Sequence, residues 1–485
     1  MTVSLVRVLA HLPASTQVVG DRERECTSLE IDSRRVTPGA LFVAVPGERT
    51  DGHAYVGRAI ENGATAVVVE AARAVHAPEG VTAIHVPDSR RALSAIAAAF
   101  YGEPSRALDV IGVTGTNGKT TTTRMIASIL EAAGRPCGVI GTVGAQLGDR
   151  GWTLENTTPL PPELHGLLAQ MRDLGAQAVA IEVSSHALAL DRVEDVRFRA
   201  AALTNVTRDH LDFHGTLEAY AAAKRRLFQM AEAAVVNVDD EHGARWLGEI
   251  RRRIPTLSYS MRGNADLVPS RIAPSTSGAA FLLEGIAMRV NLPGMFNVAN
   301  ALAAIGVALS LGVDLETCAC GLAALERVPG RMEYVGGGDV DVVVDYSHTP
   351  DSLENALIAL RESTSHSLAV VFGCGGDRDR GKRPQMGRIA AAYADRIYVT
   401  SDNPRGEPPE AIVHEIEAGI GDRLHVAEVD RRIAIHRAIE EAAPGDVVLI
   451  AGKGHETYQI VGDRTLPFDD VEVAREALAM RGARA

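Results

Sequence analysis

The chain has 485 residues, and 49 Lys and Arg against 62 Asp and Glu leave a formal net charge of −13. An acidic balance of this size excludes a non-specific nucleic-acid coat, which needs a basic face, but not anions held locally at loops and helix N-termini. Hydrophobic residues at 46% and charged residues at 23% exclude wholesale disorder and suit a folded enzyme of about three domains at roughly 150 residues each.

In chain order, the first hundred residues carry short apolar runs at 40–45 and 66–69, with an Ala-rich helical pattern at 91–100. This predicts a small α/β unit. The turn residues Tyr101-Gly-Glu-Pro-Ser105 mark its end. A second unit opens with a strand over 108–113 and a helix over 122–133. Further strands at 178–183, 201–205 and 234–238 alternate with helical stretches, the pattern of βαβ units and a parallel sheet. Residues 258–292 predict an antiparallel appendage, and 297–311 an Ala-rich helix. Val328-Pro-Gly-Arg331 is the second boundary. Beyond it, strands at 340–345, 368–373, 396–400 and 447–451 form a third α/β unit.

The five cysteines, Cys26, Cys137, Cys318, Cys320 and Cys374, are sparse, odd in number and without zinc spacing, so they read as thiols of a reducing compartment. No signal peptide and no apolar stretch of about 20 residues is present, which leads to the expectation of a cytoplasmic protein.

Ile111-Gly-Val-Thr-Gly-Thr-Asn-Gly-Lys-Thr-Thr121 lies between a strand and a helix, the context of a phosphate loop. Gly115 and Gly118 let backbone N–H groups approach phosphate oxygens, and the helix N-terminus adds its positive dipole end. Lys119 can reach the β- and γ-phosphates and Thr120 can hold Mg²⁺. The strict pattern is not met, because Val113 stands where the first glycine belongs. No Asn-Lys-x-Asp motif specifies guanine.

Other polar clusters also follow strands. Ile181-Glu-Val-Ser-Ser-His186 puts Glu182 at a strand's carboxyl end, where open α/β sheets bind ligands and where a carboxylate suits Mg²⁺. Thr204-Asn-Val-Thr-Arg-Asp-His-Leu-Asp-Phe-His-Gly215 gathers Asp209, His210, Asp212 and His214 without the spacing of a zinc ligand set; His210 is the better metal or phosphate contact. Lys224, Arg225 and Arg226, on a helical stretch, read by spacing alone as a solvated face. In the third unit, Gly373-Cys-Gly-Gly-Asp-Arg-Asp-Arg-Gly-Lys-Arg383, Ser401-Asp-Asn-Pro-Arg405 and Ala451-Gly-Lys-Gly-His-Glu456 all follow strands and suggest one shared pocket. The planar forks of Arg378 and Arg405 there suit a carboxylate.

Together, Gly115-Thr-Asn-Gly-Lys-Thr-Thr121, Glu182-Val-Ser-Ser-His186, the 205–215 loop, Asp345-Tyr-Ser-His-Thr-Pro350 and Gly452-Lys-Gly-His-Glu456 resemble the ATP-dependent Mur ligases of peptidoglycan synthesis, over nearly the whole chain. The resemblance implies an α/β fold of three domains. These are a UDP-sugar-binding domain at 1–104, a central P-loop ATPase with a mostly parallel sheet at 105–329, and a Rossmann-like amino-acid-binding domain at 330–485.

The resemblance also implies site residues. Gly115, Thr116, Asn117, Gly118, Lys119, Thr120, Thr121, Asn297, Asn300, Arg331 and Asp345 match contacts to ATP. Ile31, Ser33, Glu48, Arg49 and Thr50 match uridine-nucleotide contacts. Asn156, Thr157, Thr158, Ser184 and Arg192 match contacts to the sugar-peptide part of UDP-MurNAc-L-Ala-D-Glu. Lys224 matches a carbamoylated lysine that serves with Thr120, Glu182 and His210 as an Mg²⁺ ligand, which overrides the solvated-face reading; Lys119, His210 and Lys224 are then the catalytic set. Arg378, Asp402, Asn403, Pro404, Arg405, Gly452 and Glu456 match the pocket of the incoming amino acid. The Asp-Asn-Pro-Arg form resembles the meso-diaminopimelate enzymes, since a guanidinium pairs with the carboxylate that lysine lacks. Leu190 departs from relatives that carry a substrate-contacting Gln. The implied activity is amide formation at the expense of ATP by a monomer with no nucleic-acid partner, in cell-wall biogenesis and so in cell shape and division. The alternatives are the same ligation with L-lysine or another amino acid, a folylpolyglutamate synthetase-like ligase, and a regulatory nucleotide switch.

Overall fold

The structure, a computed structural model, describes residues 2–47, 50–73 and 77–482. The fold is α/β with mostly parallel sheets, and the chain divides into two compact units, residues 1–119 with 134–257, and residues 120–133 with 258–485.

Besides the antiparallel pair Val3–Ser4 and Glu25–Cys26, the first unit holds, among the described residues, two larger sheets. The smaller has the strand order Gln17–Val19, Thr82–Val86, Ala64–Glu70, Ala40–Val43, Ser28–Glu30, parallel except for its first pair. Its two central strands are almost wholly buried, which is why they read as unbroken apolar runs rather than alternating ones. The helix Ser89–Phe100 is started by Asp88, whose carboxylate accepts from the Arg91 N–H. Its face of Leu93, Ile96, Ala97 and Phe100 joins Leu41, Val43, Val68 and Ile84 in one core.

The larger sheet runs Arg150–Trp152, Gly144–Leu147, Cys137–Gly141, Ala178–Glu182, Asp109–Thr114, Phe198–Leu203, Ala234–Asn237, Thr256–Tyr259. The five strands from Cys137–Gly141 to Ala234–Asn237 are parallel. Their carboxyl ends therefore emerge on one edge, and the phosphate loop, Glu182 and the 204–215 loop all leave from it. Ties between the layers of the two sheets include the Asp195 N–H donating to Ser94 Oγ at 3.0 Å, the Arg197 N–H donating to Ser105 Oγ at 3.2 Å and the Arg91–Glu194 pair at 3.9 Å.

On the helix Pro161–Asp173, His165 is completely buried, and neither ring nitrogen has a hydrogen-bond partner among the described residues. Burial holds its pKa down at about 4. The unfolded chain protonates this histidine below about 6.5 and the folded chain does not, so stability falls as pH drops from about 6.5 toward 4. At pH 5 this group should leave the protein roughly 2 kcal/mol less stable than at pH 7. Urea unfolding at the two pH values checks this: His165→Leu should remove that part of the slope, and an unchanged slope would contradict it.

In the second unit, Ser270–Ser275, Gly278–Leu283 and Ile286–Val290 form an antiparallel sheet where an appendage was expected. The helix Met295–Ser310 follows, buried on nearly all sides as its Ala-rich composition requires. A six-stranded sheet then runs Glu333–Gly337, Asp341–Asp345, Val447–Ala451, Leu368–Phe372, Arg396–Val399, Val426–Ala427, parallel except for its first pair. Thr349 and Ser352 form a capping box that opens the helix Pro350–Ser363. Arg431 and Asp470, both fully buried, pair at 2.7 Å, and Arg431 also donates to the Ala451 carbonyl at 3.0 Å. Loss of either partner would strand a buried charge, at a cost of about 3–5 kcal/mol. Among the described residues no helix is long and apolar enough to cross a membrane.

Candidate functional site

The phosphate loop is built by close approach. Gly115 has φ +153°, and a Cβ there would lie 1.8 Å from Thr204 Oγ1, so a side chain cannot be carried. The neighbouring strand's loop supports it: the Thr116 N–H donates to the Asn205 carbonyl at 2.8 Å, the Asn117 N–H to Asn205 Oδ1 at 3.0 Å, and Thr204 Oγ1 to the Asn117 carbonyl at 2.6 Å. Gly118, also at positive φ (87°), leads into the helix Lys119–Ala132. The Lys119 ammonium donates to the carbonyls of Gly115 at 2.9 Å and Thr116 at 2.8 Å, which holds its charge against the loop. Thr120 and Thr121 are buried in the first turn.

Lys224 corrects the solvated-face reading taken from spacing. It is 1% exposed. Its Nζ donates to the Gly115 carbonyl at 2.7 Å and lies 4.4 Å from the Tyr220 ring centroid. The Tyr220 hydroxyl is in turn 3.0 Å from Thr116 Oγ1. Burial and then the nearby Lys119 charge push the Lys224 pKa well below that of an ordinary lysine. The neutral amine, the form that can add CO₂, is thereby favoured. Arg225 and Arg226 do lie nearer solvent, paired with Glu249 at 3.0 Å and with Asp191 and Glu194.

Glu182 ends its strand 1% exposed. Its carboxylate accepts from the Thr142 N–H at 2.8 Å and Thr142 Oγ1 at 3.1 Å, and no Lys, Arg or His pairs with it among the described residues. A Cβ on Gly141 would fall 2.1 Å from Glu182 Oε1, so glycine makes the room for this carboxylate. A buried carboxylate without a cationic partner, together with hydroxyl donors, suits a hard cation such as Mg²⁺, which takes few carboxylates and otherwise hydroxyl, water or phosphate oxygens. Three or more His, Cys, Asp or Glu side chains do not converge on a metal-sized point among the described residues.

The residues expected to contact the sugar-peptide part lie together around that strand end. Thr158 Oγ1 donates to the Glu182 carbonyl at 2.7 Å and accepts from the Ser184 N–H at 3.0 Å. Thr157 Oγ1 is 3.1 Å from Thr142 Oγ1. Arg192 reaches Asn156 Oδ1 at 3.4 Å and the Thr158 carbonyl at 3.1 Å. His210, with φ +51°, is positioned by Asp209, whose Oδ1 accepts from its backbone N–H at 2.8 Å. Its ring lies 4.7 Å from that of His186, and burial followed by the His210 and His214 charges lowers the His186 pKa. Among the uridine candidates, Ser33 is buried and its carbonyl accepts from Asn62 Nδ2 at 2.8 Å, Ile31 packs on the small-sheet core, and the Thr50 carbonyl accepts from the Gly47 N–H at 2.9 Å. Glu48 and Arg49 lie outside the described residues.

In the second unit, Arg331 donates to Thr120 Oγ1 at 3.4 Å, and its guanidinium lies 4.7 Å from the Tyr346 ring centroid. Gly330 is required there, because its Cβ would meet the His455 nitrogen at 2.1 Å. The Tyr346 ring also lies against His348 at 4.6 Å and His455 at 4.9 Å. Asp345 accepts from the Met332 N–H at 2.7 Å and from Ser347 Oγ, and desolvation raises its pKa. Asn297 and Asn300 are buried and bonded to each other at 3.0 Å.

Three loops of the second unit also come together. Asn403 Nδ2 donates to Glu456 Oε2 at 2.8 Å, and a Cβ on Gly452 would lie 2.9 Å from Asp402 Oδ2. Pro404 is buried, with its carbonyl 1.9 Å from where a Cβ on Gly376 would stand. Arg405 takes φ +51° and donates to the Gly376 carbonyl at 3.0 Å. Arg405 Nη1 and Arg378 Cγ both flank Gly375, at 2.8 and 3.8 Å from its Cβ position. The other charges of the 373–383 loop are structural: Arg383 is buried between Glu407 at 2.8 Å and Glu415 at 2.9 Å, Arg380 also pairs with Glu415, and Lys382 holds the His348 carbonyl at 2.8 Å.

Sequence reasoning did not single out Thr142, Tyr220, Tyr346, Gln459 or Lys453. Gln459 donates to Ser401 Oγ at 2.9 Å and the Asp402 carbonyl at 2.8 Å. For Tyr220 a signal existed, since it stands four residues before Lys224 on one helix face.

Residues 25–101 match the family model described as Mur ligase family, catalytic domain; residues 113–308 match Mur ligase middle domain; and residues 330–454 match Mur ligase, glutamate ligase domain. A protein of Chlorobaculum tepidum named UDP-N-acetylmuramoyl-L-alanyl-D-glutamate–2,6-diaminopimelate ligase is 48% identical over 470 residues, covering 93% of this chain and 92% of that one. A protein of the same name from Syntrophomonas wolfei is 45% identical over 490 residues, covering 98% and 99%. A solved structure titled with that same ligase name aligns with TM-score 0.73 at 35% identity, covering 99% of this chain and 100% of the other.

Proposed function

Because this chain belongs to the Mur ligase family, we propose that it is an ATP-dependent ligase of peptidoglycan synthesis. It joins meso-2,6-diaminopimelate to the D-Glu carboxylate of UDP-MurNAc-L-Ala-D-Glu and forms ADP and phosphate. The domains of this reading run 1–104, 105–329 and 330–485, and its setting is the cytoplasm, with the chain as a monomer. The observation that carries the choice of amino acid is the loop Asp402 to Arg405: Asn403 is bonded to Glu456, Gly452 makes room beside Asp402, and the guanidinium of Arg405 stands beside Arg378. Cations and carboxylates held together suit a substrate end that carries both an ammonium and a carboxylate.

The chemistry follows from the poor electrophilicity of a carboxylate. A D-Glu carboxylate oxygen attacks the γ-phosphorus of ATP, and the bond from that phosphorus to the β,γ-bridging oxygen breaks, giving an acyl phosphate and ADP. The amine nitrogen of diaminopimelate then attacks the acyl carbon, phosphate leaves, and the amide forms with loss of a proton. Phosphoryl transfer asks for positioning and charge neutralisation more than for covalent help. Lys119 supplies a fixed positive charge, and the glycines at 115 and 118 give the backbone N–H groups access to phosphate oxygens. Thr120, Glu182, His210 and a carbamate on Lys224 would hold Mg²⁺, which when bound neutralises phosphate charge. Asn156, Thr157, Thr158, Ser184 and Arg192 orient the acceptor peptide. The ATP contacts extend to Thr116, Asn117, Thr121, Asn297, Asn300, Arg331 and Asp345, and the uridine contacts to Ile31, Ser33, Glu48, Arg49 and Thr50.

Product mass after incubation with ATP, UDP-MurNAc-L-Ala-D-Glu and one amino acid at a time tests the reading. The expected product carries diaminopimelate; an L-lysine adduct, or ADP release with no adduct, would overturn it. Arg405→Ala should raise KM for diaminopimelate by about 10- to 100-fold, the worth of a charge-assisted bidentate contact, and leave KM for ATP in place. An unchanged KM for the amino acid would remove the specificity argument.

A further inference from the structure

Beside the candidate amino-acid pocket lies a charge that the proposed chemistry does not use. Lys453 is 0% exposed, yet it is an ammonium among acidic groups. Its Nζ stands 3.1 Å from Asn403 Oδ1, 3.2 Å from Glu456 Oε2 and 3.7 Å from Asp402 Oδ1. The Tyr458 ring centroid is 5.6 Å away. Gly452 and Gly454, at φ +122° and +51°, flank it, so the turn that delivers this side chain takes backbone angles that favour glycine on both sides.

The surrounding bonds form a closed set. Asn403 Nδ2 donates to Glu456 Oε2 at 2.8 Å, the same oxygen that Lys453 holds. Asn403 Oδ1 accepts from Lys453 and from the Ile460 N–H at 2.9 Å. One carboxylate oxygen of Glu456 is thereby fixed by two donors, and the orientation of its other oxygen is set. A fully buried lysine is costly to retain for packing alone, since an apolar residue of similar volume does as well or better.

We propose that Lys453 is a positioning and specificity residue for the amino-acid substrate. It acts through Glu456, Asn403 and Asp402, and the proposal rests on the reading of this pocket as the diaminopimelate site. Lys453 locks Glu456 and Asn403 in the orientation that meets the substrate's distal ammonium. It also offsets one of the two carboxylates, so that the pocket favours an end with both an ammonium and a carboxylate over a lone ammonium such as that of L-lysine. Without Lys453, the negative charges of Asp402 and Glu456 would be offset less, with Arg431 the buried cation remaining near them, which suits the wrong substrate.

Steady-state kinetics on the full-length enzyme test this with Lys453→Met, Lys453→Gln, Glu456→Gln and the Lys453→Met/Glu456→Gln double variant. Lys453→Met should raise KM for meso-diaminopimelate by about 10- to 100-fold, the range for loss of hydrogen bonds to a charged group. KM for ATP should stay within about 2-fold, and the preference for diaminopimelate over L-lysine should fall. Lys453→Gln, which keeps a donor, should lie between wild type and Lys453→Met, and it carries the test alone if the methionine variant does not fold. The double variant should fall short of the sum of the two single effects, because the lysine acts in part through that carboxylate. The proposal is overturned if the Lys453 variants leave KM for diaminopimelate unchanged while Arg405→Ala raises it, if every KM and the melting temperature shift together, or if the two single effects simply add. If Arg405→Ala and Glu456→Gln also leave that KM unchanged, the pocket reading itself fails.

Discussion

Lys119→Ala is expected to lower ATP-dependent ligation at least about 10³-fold, or roughly 4 kcal/mol of transition-state stabilisation. The Lys119 ammonium is held by the Gly115 and Thr116 carbonyls at 2.9 and 2.8 Å, at the start of the helix that follows the phosphate loop. Negative charge on the transferring phosphoryl group needs a positive charge already in place, because reorganising solvent or side chain at that moment raises the barrier. Alanine is a good helix former, so the helix persists and the fold is not the cause of the loss. ADP release and the melting temperature should be measured together. A silent enzyme with an unchanged melting temperature is the expected result, and a near-normal rate would remove the phosphate-loop assignment.

Lys224→Met is expected to cost at least about 10²-fold in turnover, on the scale of losing one preorganised electrostatic partner. The methionine keeps an apolar side chain of similar length, so the loss isolates the terminal nitrogen, which stands 4.4 Å from the Tyr220 ring centroid. On the proposed reading, the Lys224 nitrogen adds to CO₂ and releases a proton, leaving a carbamate anion. Only the neutral amine reacts. Burial and the Lys119 charge depress the Lys224 pKa, which makes that form available well below the pH an ordinary lysine needs. The sign is then fixed: lowering the pH protonates the amine, drains the carbamate and lowers activity. Enzyme held at low pH without CO₂ and returned to neutral buffer should regain activity on adding bicarbonate, and ¹³C-bicarbonate should give a carbamate signal absent from Lys224→Met. Full activity in the absence of CO₂ would contradict the role.

Much of this was legible because buried parallel strands announce themselves. Ala178–Glu182, Leu368–Phe372 and Val447–Ala451 are buried on both faces, so their apolar runs are unbroken and their bounds fall within a residue or two of expectation. Phe198–Leu203 starts three residues before the expected 201 because Arg199 is exposed near its start and interrupts the run. The short strands Gly144–Leu147 and Arg150–Trp152, which form a hairpin at one end of the sheet, have no such run and went unread.

In the candidate site, the glycine loop between strand and helix was readable from its spacing, whereas spacing alone misread Lys224 from its charged neighbours. Tyr220, Lys224 and Phe228 repeat every four residues, and that helical stripe turns inward. Arg383 finds Glu407 and Glu415 across 24 and 32 residues of chain, and Lys453 finds Asn403 across 50. Such pairings depend on which strands lie side by side, and no local pattern encodes them.

The central claim is that nucleotide activates an acid group before an amine arrives. Ligation run with ¹⁸O in the D-Glu side-chain carboxylate of UDP-MurNAc-L-Ala-D-Glu tests it most directly, by the mass of the released phosphate. The account predicts one ¹⁸O atom carried into inorganic phosphate for every amide formed with diaminopimelate. Unlabelled phosphate, or label recovered in AMP, would contradict it.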